Sequence, residues 1–130
     1  MKRQLLAGRF GAGDQLDIPM GRDEQRTFLQ LVAGEKSLDH GIGDALSNLN
    51  KLGVCPTEIG LDLLVLAAHV HAADTRISRV QQSQDSWTRE IRLVVPVSDP
   101  DRWNSAISIL KNMLNFLTGD RWEFGFRKRP

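Results

Sequence analysis

The sequence predicts an α+β fold, a small mixed or antiparallel sheet carrying two long helices and one shorter helix. Short alternating segments at the start, middle and end of the chain predict the strands. A run from Leu61 to Ala73 that is apolar nearly all round predicts one long, buried helix. A stripe from Trp103 to Leu117 at three- and four-residue steps predicts the other.

In chain order, "RQLLAGRF", "DQLDIPM" and "RTFLQLV" read as an antiparallel meander, with "GAGD" as a turn between the first two. Ile42, Ala45, Leu46, Leu49 and Leu52 share one face of a short helix that Gly53 ends in the left-handed conformation. Thr57 is the expected N-cap of the next helix, "EIGLDLLVLAAHVHAADTRISR", because its hydroxyl can accept from an unpaired first-turn amide. In "WTREIRLVVPV", Ile91, Leu93, Val95 and Val97 alternate with other residues, as in a half-buried strand. Pro96, lacking an amide hydrogen, assigns that strand to an edge or a strand end. Asp99 before Pro100 reads as an N-cap followed by proline at the first helical position. The stripe of Trp103, Ala106, Ile107, Leu110, Met113, Leu114 and Leu117 then runs to Gly119, and Trp122, Phe124 and Phe126 alternate in a last strand. In "FLTGDRWEF", Asp120 and Arg121 are therefore expected in a tight surface turn at a joint between elements, without a chemical role.

A chain of 130 residues is expected to form a single domain with a core large enough to need no staple. The single cysteine, Cys55, excludes an internal disulfide and a cysteine zinc cage, and is expected to be a buried structural thiol. The start "MKRQLLAGRF" is too short in apolar residues for a secretory signal, and the longest apolar run stops at His69, His71 and Asp74, short of a membrane span. A cytoplasmic protein with no membrane contact is expected. Seventeen basic and sixteen acidic residues leave a formal charge of +1, so any affinity for nucleic acid would come from a local patch.

No motif specifies an enzyme, and neither a cofactor nor a metal is expected in this chain. His69 and His71, with His40 as a third ligand, invite a metal, but helical positions two apart diverge by about two hundred degrees; packed histidines are the reading. The glycines Gly8, Gly11 and Gly13 do not follow the dinucleotide order, and "GEKS" lacks the upstream glycine of a phosphate loop. Both read as turns. Asp99 and Asp101 are explained by helix capping and the helix dipole.

One constellation carries more. Asp74, Arg76 and Arg79 end the long helix, and Trp87, Arg89, Glu90 and Arg92 open the following strand, so guanidinium groups and an aromatic ring are expected to converge at one edge. One reading pairs Asp74 with an arginine and leaves the others to complement the helix dipole. The other makes Asp74, Arg76, Arg79, Trp87, Arg89 and Arg92 a partner-docking or anion-binding surface.

These same residues carry a resemblance. "LDLLVLAAHVHAADTRISR", "SWTREIRLVVPVSDPDRWNS" and "MLNFLTGDRWEFGFR" together resemble the N-terminal domain of 7-cyano-7-deazaguanine synthase-like proteins of bacterial anti-phage defence operons, from about Leu61 to Arg127 and more loosely before. In that family, ATP chemistry belongs to a following ATP-pyrophosphatase domain with a Ser-Gly-Gly-x-Asp-Ser loop, and the classical synthases add zinc-binding cysteines. Neither appears in this chain. The resemblance thus implies that residues 1–130 are a non-catalytic accessory domain of an ATP-dependent ligase of that type. It would serve contact with the downstream catalytic domain or with a protein of the same operon, with "FRKRP" leading into the nucleotide-binding half. The alternative from another class is a nucleic-acid-binding module using Arg76, Arg79, Arg89 and the "RKR" tail.

Overall fold

In the computed structural model the residues described are 3–9, 14, 18–19, 21, 24–33, 37–38, 42–77 and 88–129. Strands β1 (Arg3–Arg9), β2 (Glu24–Gln30), β5 (Glu90–Val97) and β6 (Arg121–Lys128) form one sheet in the order β2-β1-β5-β6. All three pairings are parallel. The two-residue strands β3 (Val32–Ala33) and β4 (Ser37–Leu38) pair with each other antiparallel. The helices are α1 (Ile42–Lys51), α2 (Glu58–Arg76), α3 (Pro100–Asn104) and α4 (Ile107–Thr118).

This is an α/β fold, and the expected mixed or antiparallel sheet is overturned. β1 and β2 run in the same direction, Arg3 opposite Glu24 and Arg9 opposite Gln30, so the two are not the arms of a hairpin. Burial agrees with this topology. Gln4 to Gly8 are buried without interruption, as in a parallel strand covered on both faces, where a meander strand would alternate. Of the expected strand "DQLDIPM", Ile18 is buried outside any strand, and Gln15 to Asp17 lie outside the described residues.

The helices all pack on one face, over a core that includes Leu6, Leu29, Val65, Leu93, Val95, Leu114 and Trp122. The other face has a smaller cluster of Leu5, Ala7, Ile18 and Val94, with Phe28 against it. Register on that second face follows charge. Arg3 reaches Glu90 (3.7 Å), Glu90 reaches Arg121 (3.5 Å), and Arg92 donates to Glu24 (2.9 Å). Signs therefore alternate across the strands, and a slip of one residue would carry these charges into the core.

β5 is interior, so of the two places expected for Pro96, an edge or a strand end, it takes the end, as the penultimate residue of Glu90–Val97. The carbonyls of Arg89 and Val97 accept from the amides of Arg121 and Arg129, both at 2.9 Å, so odd-numbered residues of β5 turn their peptide groups toward β6 and even-numbered ones toward β1. The hydrogen that Pro96 lacks is thus missing on the β1 side, beyond Ala7 and Val94, where that ladder ends. Continued by two residues, the register would aim an amide at position 96 toward the carbonyl of Gly8. Arg127 supplies the donor instead, its Nη2 2.8 Å from that oxygen, while also pairing with Asp14.

The cap signals act where expected. The Gly60 amide donates to Thr57 Oγ1 (3.1 Å), and the Arg102 amide to Asp99 Oδ1 (3.3 Å) with Pro100 in the first turn. Gly53 and Gly119 adopt φ of 76° and 74°. Two helix readings change. α2 ends at Arg76, where the amide of Ile77 closes on Ala73. The single helix expected after Pro100 is two, divided where the Ser105 hydroxyl bonds back to Arg102 and Ala106 sits at φ −100°, ψ 0°. α2 is also less enclosed than its composition suggested, since Ile59, Leu63, Ala67 and His71 are exposed.

Candidate protein-interaction surface

The predicted arginine edge separates into parts with different fates. Arg89, at the start of β5, is 1% exposed. Its Nε donates to Asp120 Oδ2 (3.2 Å), and its Nη2 to the same oxygen (2.6 Å) and to Asp74 Oδ1 (2.8 Å). Its Nη1 donates to the carbonyls of Ile77 (2.7 Å) and Asp74 (3.1 Å). Five donors are all that a guanidinium has, so an external anion would have to displace an internal partner. Burial disfavours the charge, but the Asp120 and Asp74 hydrogen bonds more than offset it and hold the Arg89 pKa above its usual value. Asp74 and Arg76 are exposed and Arg92 is half-buried on Glu24. Arg79 and Trp87 lie outside the described residues.

Asp120 corrects the surface-turn reading. The junction itself is as expected, with Gly119 ending α4 in the left-handed region and β6 starting at Arg121. Arg121 is exposed, but Asp120 is 2% exposed, and its Oδ1 accepts from the Arg89 amide (2.9 Å) while Oδ2 takes the guanidinium. The residue just before β6 thus locks the start of that strand to the start of β5.

At the opposite end of the sheet lies the point where chain direction reverses: β1 leads to β2 on one side and β5 to β6 on the other. Open parallel sheets commonly bind ligands at such a place. Beside it, past the carboxyl ends of β5 and β6, the polar groups are committed to one another. Asp62, fully buried, accepts from the Ser98 amide (3.0 Å), the Ser98 hydroxyl (2.7 Å) and Trp103 Nε1 (2.9 Å), and pairs with Arg129 (2.8 Å). Arg129 also binds Glu58 (2.6 Å). The "RKR" segment therefore continues β6, with Arg127 and Arg129 drawn inward and Lys128 exposed.

His69 is buried, and its Nδ1 lies 2.7 Å from the Val65 carbonyl. A carbonyl only accepts, so Nδ1 carries the hydrogen. The ring lies against β1 at Gly8, where a Cβ would overlap it. His71 is exposed, His40 lies outside the described residues, and no group of three metal-ligating side chains occurs among the described residues. Cys55, expected to be buried, is exposed. Gly11, Gly13 and the "GEK" of "GEKS" lie outside the described residues.

Exposed large apolar side chains gather on one helix. On α4, Ile109 is 72% exposed, Met113 46%, Phe116 87% and Leu117 69%. These positions, i, i+4, i+7 and i+8, follow the spacing of a helix face that seats against another surface. The opposite flank holds the helix to the sheet: Lys111 bonds Glu123 (3.0 Å), the Asn115 side chain accepts from the Trp122 amide (2.9 Å), and Thr118 Oγ1 accepts from Trp122 Nε1 (2.8 Å). A hollow of about 540 Å³ along that flank, lined by Asn104, Ile107, Ser108, Lys111 and Asn112, holds a single charged group, already bonded to Glu123. Met113 and Leu117 belong to the predicted helical stripe but, unlike Leu114, are exposed. Ile109 and Phe116 were not singled out, although a signal was present: "ISILKNMLNFL" has more large apolar residues than one buried stripe can use.

The described residues include no helix long and apolar enough to cross a membrane. Comparison with protein-family models, curated proteins and solved structures finds no match. The fold class is α/β, with an all-parallel sheet covered by helices on one face.

Proposed function

We propose that this chain is a non-catalytic protein-interaction domain, of the accessory kind implied by its resemblance to deazaguanine synthase-like defence proteins. The observation that carries the reading is the exposed stripe Ile109, Met113, Phe116 and Leu117 on a helix whose other flank is committed to the sheet. Exposed apolar surface gathered into a patch marks an interaction site more often than scattered residues do. The charged groups support the reading from the other side, since Arg89, Arg127 and Arg129 are spent on internal carboxylates and carbonyls.

The test has two parts. Purified chain mixed with ATP and Mg²⁺ is expected to show neither hydrolysis nor adenylate formation; turnover abolished by a substitution in this chain would overturn the reading. A separately purified ATP-pyrophosphatase domain of the resembled family is expected to bind the chain in calorimetry and to lose affinity for Phe116→Asp. Equal affinity of the two proteins would remove the stripe from the function.

A further inference from the structure

We infer that the α4 stripe pairs with the same stripe of a second copy of this chain, giving a two-fold dimer through antiparallel α4 helices. The inference rests on the reading of this stripe as an interaction surface above; in the isolated chain a second copy occupies it, and a catalytic domain binding there would displace that copy. Three observations lead to it.

The first is area. Ile109, Met113, Phe116 and Leu117 together expose on the order of 500 Å². A one-sided patch of that size is small for a lasting complex, but a two-fold contact buries it twice, about 1,000 Å² in all, where specific interfaces begin.

The second is self-complementarity. A two-fold contact requires each residue to meet its symmetry-related counterpart's neighbourhood. With Met113 near the axis, an antiparallel crossing sets Ile109 of one copy against Phe116 and Leu117 of the other, a branched residue against an aromatic one at either end. Met113, unbranched and deformable, suits a position that must pack on itself.

The third is charge. A surface meeting its own copy brings like charges together unless it has none to bring. Lys111 is the one charged residue in "ISILKNMLNFLT", and it lies on the other flank, bonded to Glu123. The stripe is thus neutral along its length, whereas a partner selected by charge would need ionic groups in or beside it.

The test is the mass of the purified chain by light scattering and sedimentation over a concentration series. The expected result is a reversible rise from 14.6 kDa to twice that mass. Met113→Asp and Phe116→Asp, which place a charge on an exposed position and so leave the core intact, should weaken self-association on the order of 30-fold or more. Ser108→Asp, on the exposed polar side of the same helix, should leave it unchanged. In a Cys55→Ser background, Met113→Cys should oxidise to an intermolecular disulfide faster than Ser108→Cys, since only the former lies near the axis. A chain that stays monomeric, a dimer untouched by both aspartates, or equal oxidation at the two positions would overturn the proposal. The two readings fail separately. A monomer whose Phe116→Asp variant loses the ATP-pyrophosphatase domain sinks the dimer alone; a Phe116→Asp variant unchanged in both assays sinks the dimer and the interaction reading together.

Discussion

Arg89 and Asp120 face each other across the first rung between β5 and β6, each buried, joined by the backbone amide of one and two guanidinium nitrogens of the same residue. Removing one partner from such a pair leaves an uncompensated charge in the interior, a loss of roughly 3–5 kcal/mol. Asp120→Ala should therefore lower the denaturation midpoint strongly. Asp74→Ala, on an exposed carboxylate that meets the same guanidinium, should cost on the order of 1 kcal/mol. Replacing both members, Arg89→Met with Asp120→Leu, should be less harmful than Asp120→Ala alone. Urea unfolding of the three proteins checks this, and equal losses for Asp120→Ala and Asp74→Ala would contradict the burial difference.

A second prediction concerns Gly8 and His69. A Cβ at residue 8 would lie 2.5 Å from the His69 Cε1 and closer still to Nε2, with Leu31 at 3.1 Å, so β1 and α2 could not keep their spacing. Gly8→Ala should destabilise by about 1–3 kcal/mol. In a His69→Ala background, where the ring is gone, the same substitution should cost much less. A double-mutant cycle with no coupling would mean that the strand, and not the imidazole, sets the need for glycine.

The Gly8 carbonyl offers a third test. Arg127 donates to it in place of the amide that Pro96 lacks. Arg127→Ala should lose about 1–3 kcal/mol, because a buried acceptor and Asp14 are both left behind. Pro96→Val restores a donor beside that carbonyl and should reduce the penalty of Arg127→Ala. Identical penalties in the two backgrounds, measured by thermal unfolding, would show that the proline and the arginine act independently.

Stability should also depend on Glu24 at acid pH. Burial raises the pKa of its carboxyl, but the Gly21 amide and Arg92 more than compensate, and the net value lies below the ordinary 4.5. The sign follows: the folded state binds this proton less readily than the unfolded state, so the contribution is complete above about 4.5 and is lost as pH falls through the lower folded value. Glu24→Gln should be less stable than the parent at pH 7, with the difference shrinking below pH 4.5. A difference constant from pH 7 to pH 3 in chemical denaturation would rule out this linkage.

Local chemistry was legible in the order of residues, and long-range geometry was not. Thr57, Asp99, Gly53 and Gly119 act on atoms within a few residues, and each was readable as a cap or terminator because the groups it satisfies are close in the chain. Strand existence was likewise visible for Glu90–Val97 and Arg121–Lys128, since period-two alternation is a property of the segment, and for Arg3–Arg9 from its short apolar run punctuated by glycine. Direction and order were not. Whether β2 lies parallel or antiparallel to β1 is a property of neither segment, and Pro96 fits an edge or a strand end equally until the end of the β1 ladder before it is known.

The sequence by itself thus determined the caps at Thr57 and Asp99, the terminators Gly53 and Gly119, the presence of strands at Glu90–Val97 and Arg121–Lys128, and a nearly balanced charge. Only the tertiary structure decided that the sheet is parallel, that Asp120 is interior and shares Arg89 with Asp74, and that Ile109 and Phe116 are left outside. The reason is physical. Caps and periodicities are settled by neighbours in the chain, whereas burial of a charge or exposure of an apolar side chain is settled by whichever distant element comes to lie against it.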